Sequence, residues 1–187
     1  MGKTIVTFGL ISGAILSAMM LLTVPFLDEI GFDRGAIIGY TSMVLAFLLI
    51  YFGIRSYRDN VAGGTVSFGR AFKVGALIAV VSSICYVATW EIVYFKLMPD
   101  FMTKYQAHVL ERARADGETE AAIAKRKADM EKFGKLYRNP AINAAVTFLE
   151  PLPVALIMTL VSAGVLSRRK NDGASEVGVA SGARVST

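Results

Sequence analysis

The sequence predicts an all-α integral membrane protein, a four-helix bundle with a polar helical hairpin between helices three and four. Three observations carry that prediction. The chain has 187 residues, 54% of them hydrophobic, and a mean hydropathy of +0.51. Four apolar stretches, at 5–27, 35–54, 74–95 and 141–166, are each long enough to cross a hydrocarbon layer of ~30 Å at ~1.5 Å per residue. Between the last two, residues 97–138 turn polar while keeping apolar positions at helical spacing. The expected organisation is one membrane domain at 1–170 and a disordered tail at 171–187, rich in Gly, Ser and Ala.

The first stretch follows Lys3 and is too long for the apolar core of a secretory signal, typically ~7–15 residues. No small-x-small cleavage pattern follows it, so it reads as a retained helix. It ends near Pro25, whose ring and missing N–H disfavour a continuous helix. The connection at 28–34 is short, so the first two spans form an antiparallel hairpin. Gly9-x-x-x-Gly13 and Gly35-x-x-x-Gly39 are small-residue faces suited to close helix approach.

The second span closes on Arg55 and Arg58, and Gly63-Gly64 marks a turn. Ser67 is a plausible N-cap for the helix leading into the third span, with Arg70 and Lys73 on its first turns. Arg55, Arg58, Arg70 and Lys73 are expected to anchor at lipid headgroups, as are Trp90 and Tyr94 at the far end of the third span.

In the polar region, Met98, Met102, Tyr105 and Val109 form one stripe, and Ile123, Met130, Phe133 and Tyr137 form another. Asp116-Gly117 separates them, which predicts a helical hairpin at 97–138. Its stripes suit packing on each other, on the bilayer surface, on a membrane-protein partner or on a second copy of the chain. Asn139-Pro140 starts the fourth helix, since Pro suits a first helical position.

The net charge of +5 and pI near 9.4 raise nucleic acid as a partner. No basic helix with stacking aromatics supports one, and the cations flank the spans, where a lipid bilayer is the natural partner. The single cysteine, Cys85, excludes an intramolecular disulfide, and the single histidine, His108, excludes a histidine metal cluster. No nucleophile elbow, phosphate loop or dinucleotide fingerprint is present. The expectation is a non-enzymatic protein with no metal and no cofactor.

Orientation follows the distribution of Lys and Arg. The 55–73 loop holds four, the 168–170 cluster three, and Lys3 lies on the same side. Both termini are therefore expected in the cytoplasm. The ten Lys/Arg residues of the third loop pull the other way.

Several segments resemble one bacterial membrane family. They are GYTSMVLAF (39–47), FGIRSYRD (52–59), FGRAFKVG (68–75), YVATWEIVY (86–94), MPDF (98–101) and FLE (148–150). The chain is similar over about 3–168 to domain-of-unknown-function family 4199. The resemblance implies a four-helix bacterial membrane protein of the inner membrane and supplies no reaction, ligand or catalytic residue.

Glu91 and Glu150 are the only acids inside the predicted spans. Glu91 sits five residues before Lys96, about 7–8 Å from its helix end. Glu150 lies about 15 Å deep, where an ionised carboxylate is expensive. Pro151 and Pro153 break the helix beside it and free the carbonyls of Thr147 and Leu149. Two readings follow. Glu150, with Glu91 and Thr147, forms a proton or cation site of a small transporter or channel. Alternatively Glu150 is structural, protonated or hydrogen-bonded to Thr147, Thr159, Tyr40, Thr41 or Ser42, with Arg34 pairing Glu91.

Overall fold

The computed structural model describes residues 1–167, and every regular element among them is helical. Helix α1 (Gly2–Thr23) runs into a 3₁₀ turn at Val24–Phe26, where Pro25 sits, and then into the short α2 (Leu27–Ile30). Gly31, at φ +80°, reverses the chain into α3 (Phe32–Asn60). Gly63 and Gly64, also at positive φ, turn it again into α4 (Phe68–Ile92). A wide π turn at Val93–Leu97 extends α4, closed by Met98 N–H donating to Val93 O at 2.7 Å. Helices α5 (Phe101–Ala115) and α6 (Glu120–Tyr137) form the hairpin, and α7 (Pro140–Leu149) and α8 (Leu152–Leu166) make the last span.

Four helical stretches, Gly2–Ile30, Phe32–Asn60, Phe68–Leu97 and Pro140–Leu166, are long and apolar enough to cross a membrane. They exceed the expected spans at both ends of the 55–73 loop. Arg55 and Arg58 lie on the last turns of α3, and Arg70 and Lys73 on the first turns of α4. The 168–170 cluster and the 171–187 tail lie outside the described residues.

Helices α3 and α4 touch each other, and each also packs on α1 and on α8, so they form the short diagonal of the bundle. The core lies along that diagonal: Phe47, Ile50 and Ile54 of α3 meet Val74 and Ile78 of α4, all fully buried. Large apolar residues such as Leu10, Leu45, Phe52, Ile84 and Ile157 face outward, as lipid requires.

Small residues and hydroxyls seat α1 in the bundle. A Cβ on Gly9 would stand 2.6 Å from Val81 Cβ, and one on Gly13 would stand 2.6 Å from Cys85 Cβ. That proximity lets Ser82 Oγ donate to Gly9 O at 3.1 Å and Ser12 Oγ to Ala46 O at 3.0 Å. The Gly9/Gly13 face is thus a helix contact. The Gly35/Gly39 face is not one throughout: Gly35 meets the flexible end of Leu27, and Gly39 faces open space.

Candidate functional site

The hairpin folds onto the end of the bundle where α1 turns into α3. Gly117, at φ +76°, separates its arms, and Thr119 caps α6 by accepting from Ala122 N–H. The arms hold each other through buried Leu110, Ala113 and Ile123, and Met102 lies over Gly134. Lys104 donates to Asp28 at 2.6 Å and Arg112 to Asp33 at 2.7 Å, with His108 3.5 Å from Asp33. Hydrogen bonds to Asp28 and Asp100 raise the Lys104 ammonium above the usual lysine range. Phe32 at the start of α3 packs edge-on against Phe101 and Tyr105 and lies over His108. Of the two stripes, Ile123 and Tyr137 are buried inside the chain, while Tyr105 and Phe133 stay exposed.

A polar chain ties α6 to the spans. Trp90 Nε1 donates to the Tyr137 hydroxyl at 2.9 Å, which shares a hydrogen bond with Thr147 Oγ1 at 2.9 Å. Thr147 Oγ1 donates to Asn143 Oδ1 at 3.3 Å, and Asn143 Nδ2 returns to Tyr137 O at 3.2 Å. Asn143 and Thr147 are buried, so the closed set of partners keeps their polar atoms satisfied. Burial pushes the Tyr137 hydroxyl above the ordinary tyrosine range.

Deeper, the last span bends between α7 and α8 at Glu150 and Pro151. The bend is slight: both residues keep right-handed helical dihedrals. Glu150 N–H reaches Thr147 O at 3.3 Å, so that carbonyl is not freed as the proline pattern suggested. Pro153 sits in the first turn of α8, where a missing N–H does little harm. Glu150 Oε2 accepts from the Tyr86 hydroxyl at 2.9 Å.

Between hairpin and bundle lies a partly open cavity of about 810 Å³. Leu16, Met20 and Met43 line its sides, Arg112 and Arg126 its roof, and Tyr86 and Glu150 its deep end. From Phe32 to Met43 along α3 it runs roughly 15 Å. Glu150 is among its lining residues.

The structure redistributes the residues that the sequence singled out. Glu150 has Tyr86 as its partner, not Thr147, Thr159, Tyr40, Thr41 or Ser42. Thr147 is engaged by Tyr137 and Asn143, Ser42 Oγ donates to Ile38 O at 2.7 Å, and Thr159 Oγ1 is buried without a partner among the described residues. Glu91 does not line the cavity, and its covered Oε1 has no hydrogen-bond partner among the described residues. It forms no ion pair with Arg34 among the described residues.

Trp90 and Tyr94 face the hairpin. Trp90 lies edge-on to Phe101, and buried Tyr94 lies edge-on to Tyr137. Arg55, Arg70 and Lys73 remain exposed at their helix ends, and Arg58 binds its neighbour Asp59 at 2.7 Å. Tyr86 is the member that sequence reasoning missed. A tyrosine in mid-span, with a hydroxyl that needs a partner in lipid, was the available signal.

Residues 7–168 match the family model described as "Protein of unknown function (DUF4199)". The chain belongs to this family. No curated protein and no solved structure matches it. The match spans all four membrane-crossing stretches but the first residues of α1, so the hairpin, the Tyr86–Glu150 pair and the cavity of this DUF4199 chain all lie within the family region.

Proposed function

We propose that this chain is a non-enzymatic, membrane-embedded binding protein that holds a small amphipathic molecule beneath its hairpin. The supporting observation is the cavity of about 810 Å³, walled by aliphatic and aromatic side chains with a few convergent polar groups. Its size and lining are those of a small-molecule site. The reading includes the bacterial inner membrane, with both termini in the cytoplasm and the hairpin on the opposite face. The cations at 55–73 support that orientation. A membrane-protein partner or a second copy would meet apolar residues left exposed on the hairpin, such as Phe133 and Leu136.

The test uses Gly39, which lines the cavity and whose Cβ position meets no atom within 4 Å. Gly39→Phe starts from that open position and extends a ring into the cavity. Solvent extraction of the purified parent chain, followed by mass spectrometry, is expected to release a co-purifying amphiphile that Gly39→Phe lacks. Equal amounts from both, or none from the parent, would overturn the reading.

A second reading is a small proton- or cation-linked transporter or channel using Glu150 and Glu91. It draws on the Tyr86–Glu150 hydrogen bond at a proline-bent helix junction. Glu150→Gln would then abolish ion flux in proteoliposomes, and unchanged flux would remove it.

A further inference from the structure

The charges around the cavity select among amphiphiles. Resting on the binding reading above, the geometry points to an occupant with a single organic cation, an amine or quaternary ammonium on an apolar body, its charge set against Glu150. Although the whole chain carries +5, the cavity lining is acidic. Asp33, Asp116, Glu118 and Glu150 supply four carboxylates against two guanidiniums, Arg112 and Arg126, with His108 beside Asp33. Both guanidiniums are already engaged, Arg112 with Asp33 at 2.7 Å and Arg126 with Glu118 at 2.6 Å.

At the deep end the balance is simpler. Glu150 is the one charged residue lining that part of the cavity, and its described partner is the neutral Tyr86 hydroxyl. An anionic amphiphile would find the roof cations occupied and a carboxylate at the bottom. A neutral one would offer an ionised carboxylate no counter-charge in an apolar setting, so the group would keep its proton and stay uncharged. A cation removes the deficit. The same cavity offers rings of Tyr40, Tyr86, Trp90 and Tyr137, whose faces attract cations that hydrogen bonds alone cannot hold, quaternary ammonium included. Glu150 is itself a lining residue of the cavity, so an occupant meets it directly.

Three probes sharing one body test the assignment: 4-phenylbutyl-trimethylammonium, 4-phenylbutanol and 4-phenylbutyrate. Each is dialysed to equilibrium against the full chain in phosphatidylcholine nanodiscs, with empty nanodiscs subtracting lipid partition. The cation is expected to be retained at least 10-fold more strongly than the alcohol, and the anion least of all. Glu150→Gln, which keeps an acceptor for Tyr86, is expected to lower cation retention to the level of the alcohol and leave alcohol retention unchanged. Equal retention of all three probes, or a cation indifferent to Glu150→Gln, would overturn the charge assignment while leaving the cavity reading intact. If no probe is retained while the parent still yields an amphiphile that Gly39→Phe lacks, the charge assignment again falls alone. Loss of both signals would sink both.

Discussion

The Tyr86 hydroxyl and the Glu150 carboxylate meet at 2.9 Å across the α4–α7/α8 interface, 64 residues apart in sequence. The bond gives a deep acid a donor and ties the bend in the last span to the helix that packs on every other span. Tyr86→Phe removes the donor and leaves the carboxylate in place. A loss of about 1 kcal/mol is expected, in the range for hydrogen bonds between membrane helices. Glu150→Gln should lose less, because its amide oxygen still accepts. Unfolding by SDS titration in mixed micelles checks both. A double-mutant cycle returning no coupling would show that the pair contributes nothing to stability.

The α1 contact predicts an asymmetry between glycines. Gly13→Ala places a methyl 2.6 Å from Cys85 Cβ, a separation real atoms do not tolerate, so α1 must shift. A destabilisation of roughly 1–3 kcal/mol is expected, as for other overpacked sites. Gly39→Ala meets nothing and should be neutral or stabilising by up to about 1 kcal/mol through helix propensity. The same SDS titration ranks the two, and equal behaviour would contradict the packing of α1 on α4.

The hairpin is held to the 24–33 turn partly by exposed ion pairs, Lys104–Asp28 and Arg112–Asp33. Such pairs are weakened by salt. Amide hydrogen exchange in α5 should therefore quicken several-fold between about 0.05 M and 1 M salt, where screening lengths fall from well above ~10 Å to ~3 Å. The double variant Asp28→Asn/Asp33→Asn should exchange quickly at both salts. A hairpin indifferent to salt and to the variant would assign its seating to the aromatic contacts and the Trp90–Tyr137 hydrogen bond.

Trp90 is the only tryptophan, so its emission reports on the Tyr137 hydrogen bond. Tyr137→Phe should shift that emission and cost about 1–2 kcal/mol, because it strips partners from both Trp90 Nε1 and Thr147 Oγ1. Burial raises the Tyr137 hydroxyl above its unfolded value, so folding favours the protonated form. That contribution is complete below about pH 10 and is lost as pH climbs through the folded value. Alkaline titration of Trp90 emission should thus show a transition that Tyr137→Phe removes.

Much of the fold was legible because it rests on local chemistry. Long apolar runs gave the spans, Asn139-Pro140 the start of α7, Asp116-Gly117 the hairpin turn, and Gly9/Gly13 a close helix face. The site was less legible, because it is built from pairings that periodicity does not encode. Glu150 stood out by its depth, but Tyr86 could be chosen only once α4 and α7 were side by side. Trp90 and Tyr94 looked like interface anchors because their composition is that of an interface. Of the hairpin residues that meet them, Phe101 is near in sequence but Tyr137 is 47 residues from Trp90. Pro151 and Pro153 suggested open carbonyls, yet a bend too small to free the Thr147 carbonyl absorbs them.

Gly31 joins the two places where the roof is pinned. Asp28 and Asp33 stand on either side of it, and its dihedrals, φ +80° and ψ 155°, belong to a region that only glycine occupies readily. Both clasps are therefore geared to a single joint. A side chain at position 31 would touch neither aspartate, yet it would swing the two out of line together, so the grip on the lid depends on a residue that holds nothing itself.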